Sequence, residues 1–591
     1  MNGISATTAV ERAGAGPSAR RRRVRLARAL AVALAAVALF ACYLGQSRTV
    51  AAGSDGASQA LQAWDLLHGN LLLHGWWVTD VSFYTTELPQ YALIELARGL
   101  TADVIHVAGA LTYTLLVLAA AFLARGRTRG GEGATRALLA AGIMLAPQLG
   151  PGTQTLLLSP DHTGTGVPVL LVFLLIDRAA YLPGGGPRGA GWYVPALAWL
   201  GLAWTALADA MTVFIAVIPL ALVCALRAWR AVARDGEPFA WHRRDGSLAL
   251  AAVLAVPAEL AATALIRAHG GWQVNGLRTA LAAPGQLAGN ARLAGQGLLE
   301  LFGADVFGAT TGPGTALAVV HLLGFALAVA GFLAAARRFL RRDALIESVL
   351  VTGIVIDLGA YLAGVQAVNI ASTREIVPVL PFAAVLAGRC LAAPCPARRV
   401  WLGAALALYA GGLGYAAVQP PAAPQYADLA AWLRARHLTA GLSGYHQANI
   451  VTLETGGAVT LRAVAAGPDG RLAAYAWNSS AAWYSPAAPA ATFLVLTAPG
   501  APGSSGITAT RAVATFGPPA ASYRYQGYSV LVWRRGENLL AALRAGQPAT
   551  TGQQATTGQP ATTGQPATTG QPGTTGQFPS TGQSGAPRAP K

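Results

Sequence analysis

Charged residues are scarce in this chain of 591 residues, at 11% against 54% hydrophobic residues. Soluble globular domains carry about 25% charged residues, so the shortage argues against an ordinary soluble enzyme and indicates a membrane protein. Lysine is nearly absent, since Lys591 is the only one, and the arginines are grouped in short segments between apolar runs. The net charge of +17 therefore indicates membrane topology and not a nucleic-acid-binding surface, because no basic folded segment stands apart from the apolar part.

Cysteine is also rare. The chain has four cysteines, of which Cys42, Cys224 and Cys390 lie in apolar runs and Cys395 lies in a short basic segment. This placement is not that of a disulfide framework or a zinc site. Recognisable catalytic motifs are missing too, since no HExxH, Walker A, Rossmann glycine run or nucleophile elbow occurs in a suitable context. Functional residues are therefore expected singly, between the apolar runs.

Apolar runs of about 20 residues, the length that crosses a bilayer, recur along the first two thirds of the chain. The first run follows an N-terminal segment that ends in an arginine cluster, a pattern that a signal peptide shares. The apolar runs that follow favour a retained first span instead. We predict eleven spans, at 29–45, 103–124, 137–150, 166–182, 192–208, 210–226, 247–268, 315–336, 344–365, 376–392 and 400–418.

The arginines alternate between the segments that connect these spans. Every second segment is rich in arginine, as at Arg125 and Arg127 or at Arg337 and Arg338, and the segments between them hold few. By the positive-inside rule, this predicts a multi-pass protein of the plasma membrane with its N-terminus in the cytoplasm and its C-terminal part outside. The short run 137–150 and the spans divided around Asp209 are typical of broken helices beside a cavity at one membrane face.

Four parts follow from these patterns. They are a basic cytoplasmic N-terminus at 1–28, a transmembrane domain at 29–418 with a large first outer loop at 46–102, an extracytoplasmic α/β domain at 419–545 and a tail at 546–591. Within the α/β domain we predict a helix at 426–437 and strands at 459–464, 492–497 and 528–533. The tail repeats Gln-Pro-Ala-Thr-Thr-Gly, which has no core to bury, so we predict that it is disordered.

The first outer loop concentrates polar and aromatic residues beside the membrane, where chemistry is expected. Asp55 follows the first predicted span by about ten residues, and Asp80 and Glu87 flank an aromatic turn that leads to Tyr91. A carboxylate in this position can act as a general base, or it can bind a metal ion or a sugar hydroxyl. The alternative is that these are simply the acidic residues that an outer loop ordinarily carries.

Later outer segments bring further polar residues to the same face. Asp161 and His162 lie in the second, Asp209 lies in the third and Arg374 lies in the fifth. A lone arginine can clamp a phosphate, and the alternative is an arginine at a helix end that pairs with Glu375. For His162, the alternative to a role in ligand binding is a loop histidine in contact with water.

Three of these features, in this order, resemble the GT-C superfamily of membrane glycosyltransferases, which includes protein mannosyltransferases, the aminoarabinose transferase of lipid A and actinobacterial relatives. Asp55 follows the first span in SDGASQALQAWDLLHG, and Asp80 with ELPQYAL precedes the second, where relatives often show D…PPLY. Arg374 in TREIVPVLPFAAVLAG precedes a Pro-x-x-Pro helix, where relatives often show RYLLPLLP. The resemblance covers about residues 20 to 420. Asp55 is followed by Gly56, where the family often has a second acidic residue.

The predicted fold is therefore an α-helical polytopic membrane protein of GT-C-like architecture, with about 11 transmembrane helices, a small extracytoplasmic α/β domain and a disordered tail. The resemblance implies that a sugar is transferred from a polyprenyl-phosphate donor to a cell-envelope acceptor on the outer face. It implies that Asp55 is the catalytic base, with Asp80 as the second catalytic candidate. The substrate-binding candidates are Glu87, Tyr91, Asp161, His162 and Arg374.

Several points stay open at this level. Either Arg374 or a divalent metal ion can meet the charge of the leaving phosphate, so the sequence leaves the metal undetermined. A transporter or lipid flippase is the main rival function, although no internal repeat is visible and the polar candidates lie outside the membrane midplane. A non-catalytic membrane protein with the same fold is the third alternative. The predicted partners are a lipid-linked sugar and membrane lipid, and not nucleic acid.

Overall fold

The structure is a computed structural model that describes residues 17–179, 193–235, 244–274, 280–307, 312–341, 344–392, 396–498 and 506–545. The tail predicted to be disordered, at 546–591, lies outside the described residues.

Helices dominate the described chain up to residue 417. In chain order they are α1 (Pro17–Ser47), α2 (Ser54–Leu67), α3 (Glu87–Arg98), α4 (Asp103–Arg125), α5 (Gly130–Met144), α6 (Pro151–Leu157), α7 (Thr163–Ala179), α8 (Tyr193–Ala208), α9 (Ile218–Asp235), α10 (Arg244–Ala268), α11 (Leu287–Leu301), α12 (Pro313–Ala336), α13 (Leu345–Ala363), α14 (Val379–Leu391) and α15 (Pro396–Ala417). Short turns precede three of them: a π-helical turn before α9 and 3-10 turns before α11 and α14, at Val213–Val217, Pro284–Gln286 and Ile370–Ile376.

Each of the predicted spans overlaps a helix among the described residues, although the span 137–150 runs past the end of α5 at Met144. Among the described residues, seven helical stretches are long and apolar enough to cross a membrane: Arg22–Ser47, Asp103–Arg125, Val213–Ala233, Arg244–Ala268, Pro313–Ala336, Leu345–Ala363 and Val400–Ala417. An eighth results if Ile370–Ile376 and α14, which meet at a bend of 50°, are counted as one span. The remaining three predicted spans correspond to the shorter helices α5, α7 and α8. The chain is therefore a multi-pass membrane protein, and the total of eleven spans stays a prediction.

Helix α4 lies in the interior of the helix bundle. Its residues Tyr113, Leu116 and Val117 are at most 1% exposed, and it packs against α1, α5, α7 and α14. Helix α12 also approaches α14 closely, because a Cβ atom at Gly331 would lie only 2.5 Å from Ala387 N and Cα. Small residues let membrane helices come into van der Waals contact. This packing drives helix association in a membrane, because the hydrophobic effect does not act between helices surrounded by lipid.

The chain after α15 forms a mixed α/β region. Together with two short strands from the outer loops, its elements are β1 (Trp76–Val78), β2 (Gln273–Val274), α16 (Ala427–Ala435), β3 (Ala440–Ser443), α17 (Tyr445–Glu454), β4 (Thr460–Ala466), β5 (Leu472–Ala474), β6 (Ser479–Ser480), β7 (Phe493–Thr497), α18 (Ala509–Phe516), β8 (Ala521–Tyr525), β9 (Tyr528–Val532) and α19 (Leu539–Ala545). A six-stranded sheet has the order β5-β4-β3-β7-β9-β8, with β3 parallel to both of its neighbours and the other pairs antiparallel.

The helix predicted at 426–437 is α16, and the three predicted strands are β4, β7 and β9. Strand β3 escaped prediction because Ala-Gly-Leu-Ser contains no β-branched or aromatic residue. It nevertheless lies inside the sheet, where the missing side chain of Gly441 makes room for the ring of Phe493. A Cβ atom at Gly441 would lie 2.5 Å from that ring.

A small second sheet docks the α/β region on the segment 46–102 between α1 and α4. Strand β1 pairs with β6 antiparallel, so that Trp76 lies opposite Ser480, and it pairs with β2 in parallel. The Trp76 ring also meets the edge of Trp483, at 5.0 Å between centroids. Because the strand pairing joins residues about 400 positions apart, the sheet brings the α/β region directly to the polar residues of the first loop.

Candidate functional site

Asp55 lies in the first turn of α2, where the helix dipole favours a carboxylate. Its Oδ1 accepts hydrogen bonds from the Tyr445 hydroxyl and, at 3.5 Å, from Asn478 Nδ2. Its Oδ2 faces Arg374, with Nη1 3.9 Å away. The side chain remains 52% exposed. Hydrogen bonds thus fix Oδ1 of Asp55, whereas Oδ2 accepts no hydrogen bond from either residue and faces Arg374.

Tyr445 and Asn478 both come from the α/β region. Asn478 Nδ2 donates to the Tyr445 hydroxyl at 2.9 Å, and the Asn478 carbonyl accepts from Ser58 Oγ at 3.1 Å. Asn478 adopts a left-handed conformation with φ of 47°, which asparagine tolerates better than most residues. Burial, together with the Asp55 carboxylate, raises the pKa of the Tyr445 hydroxyl well above its usual value. Tyr445 therefore stays protonated and acts as a donor to Asp55.

Arg374 is the central cation of the site. It lies on the 3-10 turn Ile370–Ile376, whose start is capped by Asn369 Oδ1 accepting from the Ala371 amide at 2.9 Å. The guanidinium pairs with Asp55 at 3.9 Å and with Glu375 at 3.5 Å. Asp161 and Asp80 attract it from greater distances. The Arg374 side chain is 51% exposed, so the guanidinium contacts solvent as well as the neighbouring acids.

Asp80 and Asp161 are partly buried beside this arginine. Burial, with a smaller contribution from the charge of Glu375, raises the pKa of each carboxyl to about 6, although His162 and Arg374 oppose the shift. The Asp161 carboxylate also accepts a hydrogen bond from the His162 amide at 2.7 Å. Both groups therefore change charge close to neutral pH, as proton-transferring carboxyls do.

His162 is buried between two carboxylates. Its Nδ1 lies 2.7 Å from Asp209 Oδ2, and its Nε2 lies 3.4 Å from Glu375 Oε2. Burial lowers the pKa of the imidazole, but Asp209 and Glu375 outweigh this effect and raise it well above its usual value. His162 is therefore a charged bridge and not a loop histidine in contact with water. Both ring nitrogens are thus engaged, and the Nε2 contact connects His162 to Glu375, which lies next to Arg374.

Glu87 and Tyr91 are predicted to bind substrate, and the structure places both side chains in fully buried positions. The Tyr91 hydroxyl donates to the Ser159 carbonyl at 2.7 Å. The Glu87 carboxyl lies against Gly164 at the start of α7, where a Cβ atom would lie 1.9 Å from Oε1. Burial raises the pKa of Glu87 to about 8, so the group is neutral at pH 7. In this arrangement the two residues support the site from below.

The donor set does not fit a resident metal ion. Across the described segments, no three His, Cys, Asp or Glu side chains are grouped so as to hold one. The acids nearest the opening already face cations, because Asp55 faces Arg374 and Glu375 faces both Arg374 and His162. The cation that faces Asp55 and Glu375 in the described structure is the Arg374 guanidinium.

The structure brings together Asp55, Asp80, Asp161, His162, Asp209 and Arg374 from the predicted set. Sequence reasoning missed Tyr445 and Asn478, which lie about 390 and 420 residues beyond Asp55. The only available signal was their polar, aromatic surroundings, Gly-Tyr-His at 444–446 and Trp-Asn-Ser-Ser at 477–480. The sequence predicted Glu375 only as a partner of Arg374, whereas in the structure Glu375 connects Arg374 to His162.

Comparison with solved structures identifies the fold. The chain is similar to ArnT from Cupriavidus metallidurans bound to undecaprenyl phosphate, with a TM-score of 0.50 and 14% identity over 87% of this chain and 99% of that one. It also matches ArnT in the apo state, with a TM-score of 0.40 and 15% identity over 86% of this chain and 98% of that one.

A third similar structure is the Archaeoglobus fulgidus oligosaccharyltransferase in complex with zinc and sulfate, with a TM-score of 0.42 and 12% identity over 71% of this chain and 61% of that one. No family model and no curated protein matches the chain. The likeness to ArnT bound to undecaprenyl phosphate confirms the predicted GT-C-like fold.

Proposed function

We propose that this chain is a membrane glycosyltransferase that moves a sugar from a polyprenyl-phosphate donor to an acceptor of the cell envelope. The observation that carries the proposal is the pair of Asp55 and Arg374, which face each other at 3.9 Å while both side chains remain about half exposed. A proton acceptor and a phosphate-binding cation side by side are what a displacement at a glycosyl phosphate requires. The GT-C-like fold supports the same function.

The reaction begins at the free oxygen of Asp55. Asp55 Oδ2 takes the proton of an acceptor hydroxyl or amine while the acceptor atom attacks the anomeric carbon of the donor sugar. The bond between this carbon and the phosphate oxygen breaks, and its electron pair leaves with the polyprenyl phosphate. The acceptor gains the sugar, and Asp55 later returns its proton to solvent.

Arg374 acts on the leaving group. A phosphate monoester carries more negative charge than the diester from which it departs, so a guanidinium that meets this charge lowers the barrier. The two adjacent N–H groups of arginine match phosphate oxygens in pairs. Before the donor binds, Asp55 and Glu375 share this cation, which keeps the guanidinium in position.

Tyr445 and His162 position these two groups. The hydrogen bonds of Tyr445 and Asn478 to Asp55 Oδ1 leave Oδ2 as the oxygen that faces Arg374 and the opening. His162 holds Glu375, and Glu375 in turn lies 3.5 Å from Arg374 Nε. Preorganised charges of this kind contribute to catalysis because they need no rearrangement during the reaction.

The lipid donor is part of the proposal. ArnT was crystallised with undecaprenyl phosphate, and Arg374 lies directly before α14, at the border between the outer segments and the helix bundle. A lipid phosphate anchored in the bilayer reaches this border without leaving the membrane. The arginine alternation supports an outer location for the site.

The test is a transfer assay with the purified full-length chain in nanodiscs. Undecaprenyl phosphate carrying one of several sugars is supplied with an envelope extract, and released undecaprenyl phosphate is measured by mass spectrometry. We expect Asp55→Asn to reduce release about 100-fold or more, the usual effect of losing a positioned base. Arg374→Ala should mainly weaken binding of undecaprenyl phosphate.

Asp428→Asn is the matched control, because Asp428 is an exposed carboxylate on α16. It should release undecaprenyl phosphate at the unmodified rate. If Asp55→Asn keeps that rate, the base lies elsewhere and Asp80 is the next candidate. If no donor releases undecaprenyl phosphate in the unmodified protein, the relationship to glycosyltransferases is one of fold alone.

A further inference from the structure

A cavity of about 340 Å³ lies at the far end of α4 from the candidate site. It is lined by Arg125, Gly126, Arg127, Thr128, Arg129 and Arg178. The outer end of α4 is marked by Asp103, which binds Arg48 and Arg98 beside the first loop. With 23 residues and a rise of about 1.5 Å each, α4 is about 35 Å long. That length matches a bilayer core of about 30 Å, so the cavity lies at the level of the opposite headgroups.

The walls of the cavity are helix ends. Helix α4 ends at Arg125, and Gly126 turns the chain with a φ of 54° that favours glycine. Arg178 is contributed by the last turn of α7. Arg125, Arg127 and Arg129 thus lie at the short turn that leads from α4 to α5, and α7, which packs against α4, adds Arg178.

A buried ion-pair cluster lies next to Gly126, outside the lining of the cavity. Arg389 binds the Leu123 carbonyl at 3.0 Å, Asp177 at 3.1 Å and Glu347 at 2.8 Å. Gly126 packs directly on this cluster, since a Cβ atom there would lie 3.1 Å from Arg389 Nη1 and 3.2 Å from Asp177 Oδ2. The cluster ties the turn at Gly126, which lines the cavity, to α14.

The described residues that line the cavity carry charge of one sign only. Four of the six described lining residues are arginines and none is acidic. Asp177 and Glu347 each bind Arg389 through one carboxylate oxygen, and Glu132 binds Arg136 at 2.8 Å. The segment 180–192 that follows α7 contains Arg188 and no Asp or Glu.

Topology alone accounts for arginines at this end of the bundle, since cytoplasmic segments are basic, and basic side chains are favoured at helix C-termini. The packing of α7 against α4 adds Arg178 to the three arginines of the turn 125–129, so that four arginines line one cavity. An anion in this cavity is attracted by the positive charges around it. Arginine pairs with phosphate oxygens through two parallel hydrogen bonds, and basic pockets at the cytoplasmic surface bind lipid headgroups.

The geometry points to a binding site for a phosphate group in this cavity, carried by an anionic lipid of the predicted cytoplasmic leaflet. The site is separate from the proposed transfer reaction. Bound lipid would tie α4, α7 and, through Arg389, α14 together at the end opposite the candidate site. The same chemistry would accept free phosphate, so the experiment compares the two sources.

The experiment measures lipid binding to the full-length chain by native mass spectrometry, with phosphatidylglycerol and phosphatidylcholine at equal concentration. The variant Arg129→Gln/Arg178→Gln removes two exposed charges from the cavity. The control Arg337→Gln/Arg338→Gln removes two exposed charges from the end of α12, on the same predicted face. We expect phosphatidylglycerol to bind at least tenfold more tightly than phosphatidylcholine, with a loss of at least fivefold in the cavity variant and less than twofold in the control.

A second arm adds millimolar inorganic phosphate to the detergent-purified protein. If inorganic phosphate displaces the bound lipid, the site also accepts free phosphate. If it does not, the site is specific for the phosphate group of a lipid. The conservative variant Arg129→Lys/Arg178→Lys keeps the charge and should retain more binding than the glutamine variant, which separates recognition from misfolding. Equal losses in the cavity and control variants, or equal binding of both lipids to the unmodified chain, would overturn the proposal.

Discussion

At the scale of single residues, the candidate site is a chain of alternating charges. Arg374 faces Asp55 and Glu375, and Glu375 lies next to His162, which binds Asp209. Each buried charge thus has a partner of opposite sign, which is the condition for keeping it ionised away from water. The two ends differ in function, because Asp55 and Arg374 are half exposed whereas His162 and Asp209 are buried.

Tyr445→Phe tests the orientation of Asp55. The substitution removes the hydroxyl that donates to Asp55 Oδ1 and leaves the ring in place. We expect kcat for sugar transfer to fall about tenfold, because a misplaced base loses part of its catalytic effect. KM for the donor should stay unchanged, because the phosphate contact belongs to Arg374.

The control is Tyr523→Phe, which removes a hydroxyl from an exposed tyrosine on β8. It should leave both kinetic constants unchanged. An unchanged kcat in Tyr445→Phe, with an intact fold, would mean that Tyr445 does not orient the base.

Glu87 gives a pH dependence of stability with a defined sign. Its pKa is raised by burial from 4.5 to about 8, so the folded state prefers the neutral carboxyl. The corresponding stabilisation is complete below the unfolded value near 4.5 and is lost as the pH rises through 8. We expect the Tm to fall by several degrees between pH 7 and pH 9.5, and to fall less in Glu87→Gln, whose amide cannot ionise.

Glu95 titrates in the same range, because burial also raises its pKa to about 8. The fall of Tm with rising pH should therefore be smaller in Glu87→Gln but should not disappear. Glu537→Gln, at an exposed position of the α/β region, should follow the unmodified curve. Identical slopes for Glu87→Gln and the unmodified protein, measured by differential scanning fluorimetry, would contradict a neutral Glu87.

At the scale of elements, the three-stranded sheet β2-β1-β6 connects the α/β region to the helix bundle. Trp76 on β1 is 1% exposed and packs edge-on against Trp483. Indole Nε1 of Trp76 also donates to Asp65 Oδ2 at 2.7 Å. This one side chain thus fixes β1 both to the helix α2 that carries Asp55 and to the region that carries Tyr445.

Trp76→Ala should loosen this connection. Removing a buried tryptophan costs about 3–5 kcal/mol, and the cost falls on the contact between the two parts. We expect faster proteolytic cleavage between α15 and α16 and a loss of transfer activity, while the helix bundle stays folded by circular dichroism. Trp401→Ala is the control, because Trp401 is 76% exposed on α15. Equal protease resistance in all three proteins would show that β1 does not hold the region.

The elements also show which parts of the fold the sequence could predict. The apolar runs and the strands rich in β-branched residues, such as β4 and β9, were predicted because each carries its signal locally. The short strands β1, β2 and β6 have two or three residues each, too few for an alternating pattern. Their pairing depends on contacts between distant segments, which no local pattern reveals.

At the scale of the whole molecule, the site is assembled from both the membrane part and the α/β region. Asp55, Asp80 and Arg374 could be predicted as candidates because they lie in the polar segments between predicted spans. Tyr445 could not, because its position above Asp55 results from the packing of α17 on α2, where Ser54 Oγ donates to the His446 carbonyl at 2.7 Å. The α/β region therefore belongs to the site and is more than an appended domain.

The predicted topology can be tested by labelling. In a variant without the four native cysteines, a cysteine replacing the exposed Ser522 on β8 should react with a membrane-impermeant maleimide added to intact cells. A cysteine replacing Arg337 at the end of α12 should react only after the membrane is opened. The prediction rests on the arginine alternation, and the reverse pattern of labelling would invert the orientation of the whole molecule.

The central claim is that this chain transfers sugar to the cell envelope at the site formed by Asp55 and Arg374. The most direct measurement is mass spectrometry of envelope glycans from cells that lack this chain and from the same cells supplied with the unmodified chain or with Asp55→Asn. We predict that one glycan loses the mass of a sugar when the chain is absent, and that the unmodified chain restores it whereas Asp55→Asn, expressed at the same level, does not. Full restoration by Asp55→Asn, or envelope glycans that are identical with and without the chain, would contradict the account.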